Sequence, residues 1–118
     1  MDGENHKYVF DILLLTLLQE EPMYGYDLRQ KLFNGSDGLI QLRLSTIYPV
    51  LYRLTTKGYV LTEERNVGRK ARVYYSITEA GREYLGSAKQ EYYDFIDGVY
   101  NLLKTENDRK GESHHDGN

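Results

Sequence analysis

The chain has 118 residues, a length that fits one domain and leaves no room for two independent cores. At 40% hydrophobic and 28% charged it is too apolar for a disordered chain and too charged for a membrane one, and its longest apolar run, Ile12–Leu18 with Thr16 inside it, is shorter than the ~18 residues that cross a bilayer. The absence of cysteine excludes disulfide scaffolds, thiolate zinc sites and thiol nucleophiles and fits a reduced cytoplasm, while a net charge of −3 argues against indiscriminate coating of nucleic acid.

The acidic, polar start, Met1 to Asn5, does not read as a secretory signal. From His6 to Gln19 the pattern predicts a helix, with Tyr8, Val9, Phe10, Ile12, Leu13, Leu14, Leu15, Leu17 and Leu18 covering nearly its whole circumference. Such a helix must be covered on more than one side, so one flank is expected to pack on its own subunit and another on a partner chain. Pro22 ends it. A second helix is predicted from about Tyr24 to Phe33, burying Tyr24, Leu28 and Leu32. The cluster Asn34-Gly35-Ser36-Asp37-Gly38 reads as a turn, and the alternation of Ile40, Leu42 and Leu44 as one short strand. A third helix, ending before Gly58, turns Ile47, Val50, Leu51 and Leu54 inward, with Pro49 early enough for its missing N–H to be tolerated.

After Gly58 the period changes to that of a strand. Tyr59–Thr62 and Val73–Ile77, on either side of Gly68, read as a hairpin. Thr78 is suited to cap a fourth helix, with Glu79 favourable at its N-terminus, running to roughly Lys104. In it Leu85, Ala88, Tyr92, Phe95, Val99 and Leu102 recur at spacings of three and four, broadened by Ile96 and Leu103, which makes a heptad seam in need of a partner. With Leu13 and Leu17 of the first helix, these residues form the expected homodimer interface. Three segments follow: a winged helix-turn-helix over residues 1–77, a dimerisation helix over 78–105 and a disordered polar tail over 106–118.

Charge is unevenly placed. Between Leu39 and Tyr75 seven cations (Arg43, Arg53, Lys57, Arg65, Arg69, Lys70 and Arg72) face two acids, Glu63 and Glu64. Charge alone fits a local anion-binding surface and a solvated cluster equally. Added to helix–turn–helix–hairpin order it gains meaning. A recognition helix hides one face and offers the other to a major groove about 12 Å wide. That leaves Ser45, Thr46, Tyr48, Pro49, Tyr52 and Arg53 to meet double-stranded DNA, and the hairpin brings Arg69, Lys70 and Arg72 to its phosphates. Helix–helix–hairpin arrangements also serve as protein-binding modules, in which the tyrosines cover an interface and the wing cations keep a turn soluble; an adaptor that does not bind DNA is the competing reading.

Four stretches resemble the PadR family of transcriptional regulators. Pro22-Met23-Tyr24-Gly25-Tyr26-Asp27-Leu28 is similar to its P-x-(H/Y)-G-Y-(D/E)-L signature, and Thr46-Ile47-Tyr48-Pro49-Val50-Leu51-Tyr52-Arg53-Leu54 to its recognition helix. Gly68 to Tyr75 resembles its wing and Thr78-Glu79-Ala80-Gly81 its entry into the last helix. The resemblance covers about residues 8–103. It implies a mainly α fold with a small β-hairpin, and a dimeric repressor on a palindromic operator, in the short subgroup with a single C-terminal helix. Where the family usually has a serine cap and a proline, this chain has Arg43 and Leu44, so Ser45 is either the cap or already in the first turn. Drug-sensing members hold planar aromatic compounds between aromatic side chains at the dimer interface. By that resemblance Tyr92, where such members carry tryptophan, and Phe95 are candidates for contact with a small aromatic effector; packing of Tyr92, Tyr93 and Phe95 is the plainer alternative.

No catalytic constellation, cofactor site or metal site is expected. His6, His114 and His115 lie near the ends, and the adjacent pair lacks the i, i+4 spacing of a helical metal site. Asp94 and Asp97 share a helix face that reads as solvated, and no nucleophile elbow or phosphate-cradling glycine loop occurs.

Overall fold

Apolar spacing and chain punctuation set the elements. A computed structural model of the chain describes residues 8–109, in the order α1 (Val9–Leu18), α2 (Gly25–Gly35), α3 (Leu44–Thr56), β1 (Val60–Val67), β2 (Lys70–Ile77) and α4 (Glu79–Arg109). The first three helices and the root of α4 enclose one core, in which Leu14, Leu15, Leu28, Ile47, Leu51, Leu54 and Val60 are fully buried.

The α1 helix buries Ile12, Leu14, Leu15 and Leu18, and with them Asp11; Leu13 and Leu17 stay half-buried on its flank. Beyond Pro22 the chain is extended, and Met23 exchanges two backbone hydrogen bonds with Tyr75 of β2 (3.1 and 2.8 Å). This short bridge fastens the hairpin to the start of α2. Tyr24 therefore has extended geometry and precedes α2 as its N-cap; it is half-buried and is not part of the helical stripe, which consists of Leu28 and Leu32.

Ile40, Leu42 and Leu44 do not form a strand. They are half-buried against the core, but the segment pairs with no strand among the described residues, so its alternation reflects inward packing without a hydrogen-bonded neighbour. The α3 helix begins at Leu44 with Arg43 as an extended N-cap, which places Ser45 in the first turn. Pro49 lies one turn further in than the positions where a missing N–H costs nothing, and it leaves the carbonyl of exposed Ser45 without its helical donor. Gly58, at φ +84, adopts the left-handed geometry that stops α3 and lets Tyr59 N–H reach back to the Leu54 carbonyl.

Strands β1 and β2 pair in antiparallel register from Val60↔Ile77 to Val67↔Lys70, longer at the tip than the two apolar runs suggested. Gly68 and Arg69 make the two-residue loop, and Gly68 supplies the positive φ (+64) that such a turn needs at its first position. Thr78 then caps α4 as expected: its Oγ1 accepts from Gly81 N–H (3.0 Å) and donates to the Gly58 carbonyl (2.7 Å).

Two expectations about α4 are corrected. Leu85 is 1% exposed and belongs to the core of its own chain, so it is not available to a partner. The helix also continues to Arg109, so residues 106–109 are helical where a disordered tail was expected. The rest of that tail, including His114 and His115, lies outside the described residues, as does His6. No helix among the described residues is long and apolar enough to cross a membrane.

At Gly81 a Cβ would collide with the Tyr59 carbonyl oxygen and lie 2.8 Å from Ile77 Cγ1. Since a backbone carbonyl cannot swing aside, Gly81→Ala is expected to cost about 3 kcal/mol, at the upper end of overpacking penalties. Urea unfolding of the variant checks this; an unchanged midpoint would mean that α4 does not approach the hairpin so closely.

Candidate nucleic-acid interface

The core-facing residues of α3 leave Ser45, Tyr48, Pro49 and Tyr52 exposed on one side, with Thr46 half-buried beside them. Tyr52 is 75% exposed and has no packing role. Tyr48 is more constrained. A Cβ on Gly25 would stand 2.5 Å from its hydroxyl oxygen and 2.7 Å from its ring, so the glycine of the α2 motif makes room for this tyrosine. The Tyr75 phenol is held above the usual tyrosine range by burial and by the neighbouring Tyr48.

Arg53 does not join this face. Its two terminal nitrogens donate to both carboxylate oxygens of Asp11 at 2.9 and 2.7 Å, and the guanidinium lies 5.3 Å from the Tyr8 ring centre. Asp11 is 1% exposed and accepts a third hydrogen bond, from the Tyr84 hydroxyl at 2.7 Å. A carboxylate buried this deeply needs such partners, and the guanidinium fork matches both of its oxygens. Arg53 is thus committed to joining α3 to α1, and the expectation that it contacts DNA is corrected. The signal was present in the sequence: Asp11 is the one charged residue within a helix apolar all round.

On the wing, Arg69 and Lys70 project from the hairpin tip and make no ion pair among the described residues. Arg72 stands nearer the base and is half-buried. Its guanidinium carbon lies 4.5 Å over the Tyr24 ring, and its Nε is buried without a hydrogen-bond partner. Its cross-strand neighbour Arg65 stacks on Tyr74 at 4.4 Å and pairs with exposed Glu63 at 3.2 Å. Two like charges side by side on one sheet face are each accommodated by an aromatic ring.

The expected dimer residues divide along α4. Ala88 and Tyr92 are half-buried against the core, and Tyr92 shares an apolar groove of about 360 Å³ with Leu13, Leu17 and Ile40. Phe95 follows half-buried, whereas Ile96, Val99, Leu102 and Leu103 are 40–75% exposed.

A family model described as the transcriptional regulator PadR-like family matches residues 14–87, from α1 through the root of α4. The chain belongs to the PadR-like family of transcriptional regulators. It is accordingly a DNA-binding regulator and not an enzyme. Among solved structures, a PadR family transcriptional regulator from Eggerthella lenta is 33% identical with a TM-score of 0.72, over 87% of this chain and 88% of that one. A transcriptional regulator from Clostridium thermocellum is 32% identical with a TM-score of 0.71, over 80% and 91%. A PadR-like transcriptional regulator from Bacillus cereus is 29% identical with a TM-score of 0.69, over 83% and 94%. An uncharacterized protein of Lysinibacillus sphaericus is 33% identical over 84 residues, 70% of this chain and 76% of that protein.

For this PadR-like chain the Asp11–Arg53 pair yields two expectations. Arg53→Ala leaves a buried carboxylate unpaired and should cost about 2–3 kcal/mol, below the usual range for broken buried pairs because Arg53 is 35% exposed. A thermal melt measures that loss; undiminished stability would mean that Arg53 is free after all. Burial, the hydrogen bond to Asp11 and the Asp11 charge hold the Tyr84 phenol above its ordinary range. Its proton is then bound more tightly in the folded chain, so its contribution is complete below about pH 10 and fades as pH rises beyond that. Tyr84→Phe should lower stability at neutral pH and flatten its decline above about pH 10, as followed by unfolding at a series of alkaline pH values.

Proposed function

We propose that the chain is a cytoplasmic transcriptional repressor that binds a palindromic operator as a homodimer. The observation that carries this reading is the side of α3 that bears exposed Ser45, Tyr48, Pro49 and Tyr52 beside half-buried Thr46, together with a wing tip whose Arg69 and Lys70 make no ion pair among the described residues. In this reading the hydroxyls and the Tyr52 ring meet base edges and sugars in the major groove, while Arg69, Lys70 and Arg72 hold phosphates. Family membership favours DNA over the adaptor alternative, since regulators of this family bind DNA, typically as dimers.

Dimerisation supplies the second recognition helix. Leu13 and Leu17 of α1 and Ala88, Tyr92, Phe95, Ile96, Val99, Leu102 and Leu103 of α4 would supply the pairing surface, and a two-fold pairing through it would set the two α3 helices about 34 Å apart, one duplex turn. The groove at Tyr92, with Phe95 a turn away, is the place for a planar aromatic effector. Such a molecule releases DNA only by binding one spacing of the two heads better than another.

The test is a gel shift of the full chain with the DNA upstream of its own coding sequence, alongside sedimentation to establish the dimer. Specific, saturable binding is expected. Arg69→Ala removes one phosphate contact from each subunit, so it should weaken binding to all duplexes alike and reduce the slope of log affinity against log salt by about 1.8 per dimer. Tyr52→Ala should instead reduce discrimination between operator and mixed sequence. A monomer that binds no duplex even at low salt overturns the reading.

A further inference from the structure

Arg29 of α2 and Arg43, the residue before α3, come from different elements but line one cleft of about 590 Å³ with Gln30, Phe33, Gln41 and Leu42. Neither guanidinium has a carboxylate partner among the described residues, and the Arg43 side chain makes no hydrogen bond there either. Arg29 is held in place by an aromatic ring: its guanidinium carbon lies 5.2 Å from the centre of Tyr26. Tyr26 in turn stacks with Tyr24 (6.4 Å, 20°), and Tyr24 carries Arg72 and meets Tyr74 at 5.4 Å. A line of rings and guanidiniums therefore runs from the base of the wing, along the start of α2, to the cleft at the start of α3.

The cleft end of that line is one-sided; Asp27, in the first turn of α2, is not among its lining residues. Guanidiniums, carboxamides and phenols offer many donors, and no carboxylate among the cleft residues competes for them. The first turn of α3 contains no acid and its N-cap makes no side-chain hydrogen bond, which adds to the positive potential. The Tyr26 ring biases the Arg29 guanidinium toward one position before any ligand arrives, so less side-chain freedom is lost on binding. A single small anion would occupy one end of such a line. A chain of regularly spaced anions would use all of it.

We propose that this line is a phosphate track for the DNA backbone, with Arg29 and Arg43 as its far clamp. It rests on the DNA-binding reading above and extends it from the recognition helix and wing to α2 and the turn that follows. Its contacts are with phosphate and carry no base information, so they raise affinity for every duplex.

The experiment titrates the full-length chain and its Arg29→Ala, Arg43→Ala and double variants against a mixed-sequence duplex between about 50 and 200 mM salt, where counterion release dominates affinity. With both subunits of the dimer altered, each single variant should lower the salt slope by about 1.8 and the double variant by about 3.6, and Arg43→Lys should restore the slope because it keeps the charge. Matching thermal melts for Arg43→Ala show that the fold is retained, as expected for a side chain with no internal bond. Alanine variants that keep the wild-type slope, while the wild type binds normally, overturn the track and leave the recognition helix and wing in place. Failure of the wild type itself to bind any duplex overturns the DNA-binding reading and the track together.

Discussion

The arrangement of the three core helices depends on one buried carboxylate. Asp11 sits inside α1 with its two oxygens taken by Arg53 of α3 and the hydroxyl of Tyr84 of α4. An apolar trio of similar volume would serve stability as well or better, because taking an ion pair out of water is expensive. What the ion pair adds is direction. The fork of Arg53 ties α3 to α1, while burial of Ile47, Val50, Leu51 and Leu54 turns Tyr48, Pro49 and Tyr52 outward. The exposed face of α3 is thus braced from behind.

Several of the twelve tyrosines do comparable work at the joints between elements. Tyr59 and Tyr84 stack nearly parallel at 4.3 Å where the hairpin meets α4, and Tyr48 lies over Gly25 where α3 meets α2. At the wing, Tyr24 and Tyr74 each carry an arginine. A domain with so small a core gains order from rings that stack on one another at its edge while their hydroxyls stay in reach of water or of a buried acceptor.

Features encoded within a few residues were legible in the sequence. The inward faces of α1 and α3, the stop at Gly58, the hairpin around Gly68 and the cap at Thr78 each follow from local spacing and residue type. The family was legible too, through four motifs in order. What failed depended on distant partners. Arg53 occupies an outward-looking position in the helical pattern, and only the approach of Asp11, 42 residues earlier, turns it inward. Heptad spacing shows that Leu85 is covered without showing by what; its cover is its own chain. Ile40, Leu42 and Leu44 alternate like a strand but have no strand edge beside them. Tyr24 matches a helical stripe in spacing, yet the backbone bridge between Met23 and Tyr75 keeps it outside the helix. The candidate surface of α3 was legible as a face but not in its details, since Gly25 and Tyr48 come together only in three dimensions.

The last helix leaves the core as an unbroken rod. Its 31 residues span about 46 Å, and the part beyond Tyr92 accounts for about 25 Å of that length. A rod of that kind is a mechanical lever whose pivot is the packing around Leu85, next to the Tyr84–Asp11 contact. A tilt of about 5° at the pivot sweeps the free end, about 36 Å away at Arg109, through roughly 3 Å, simply from the rise per residue. A disturbance too slight to alter the core thus becomes a displacement as large as an atom at the far end.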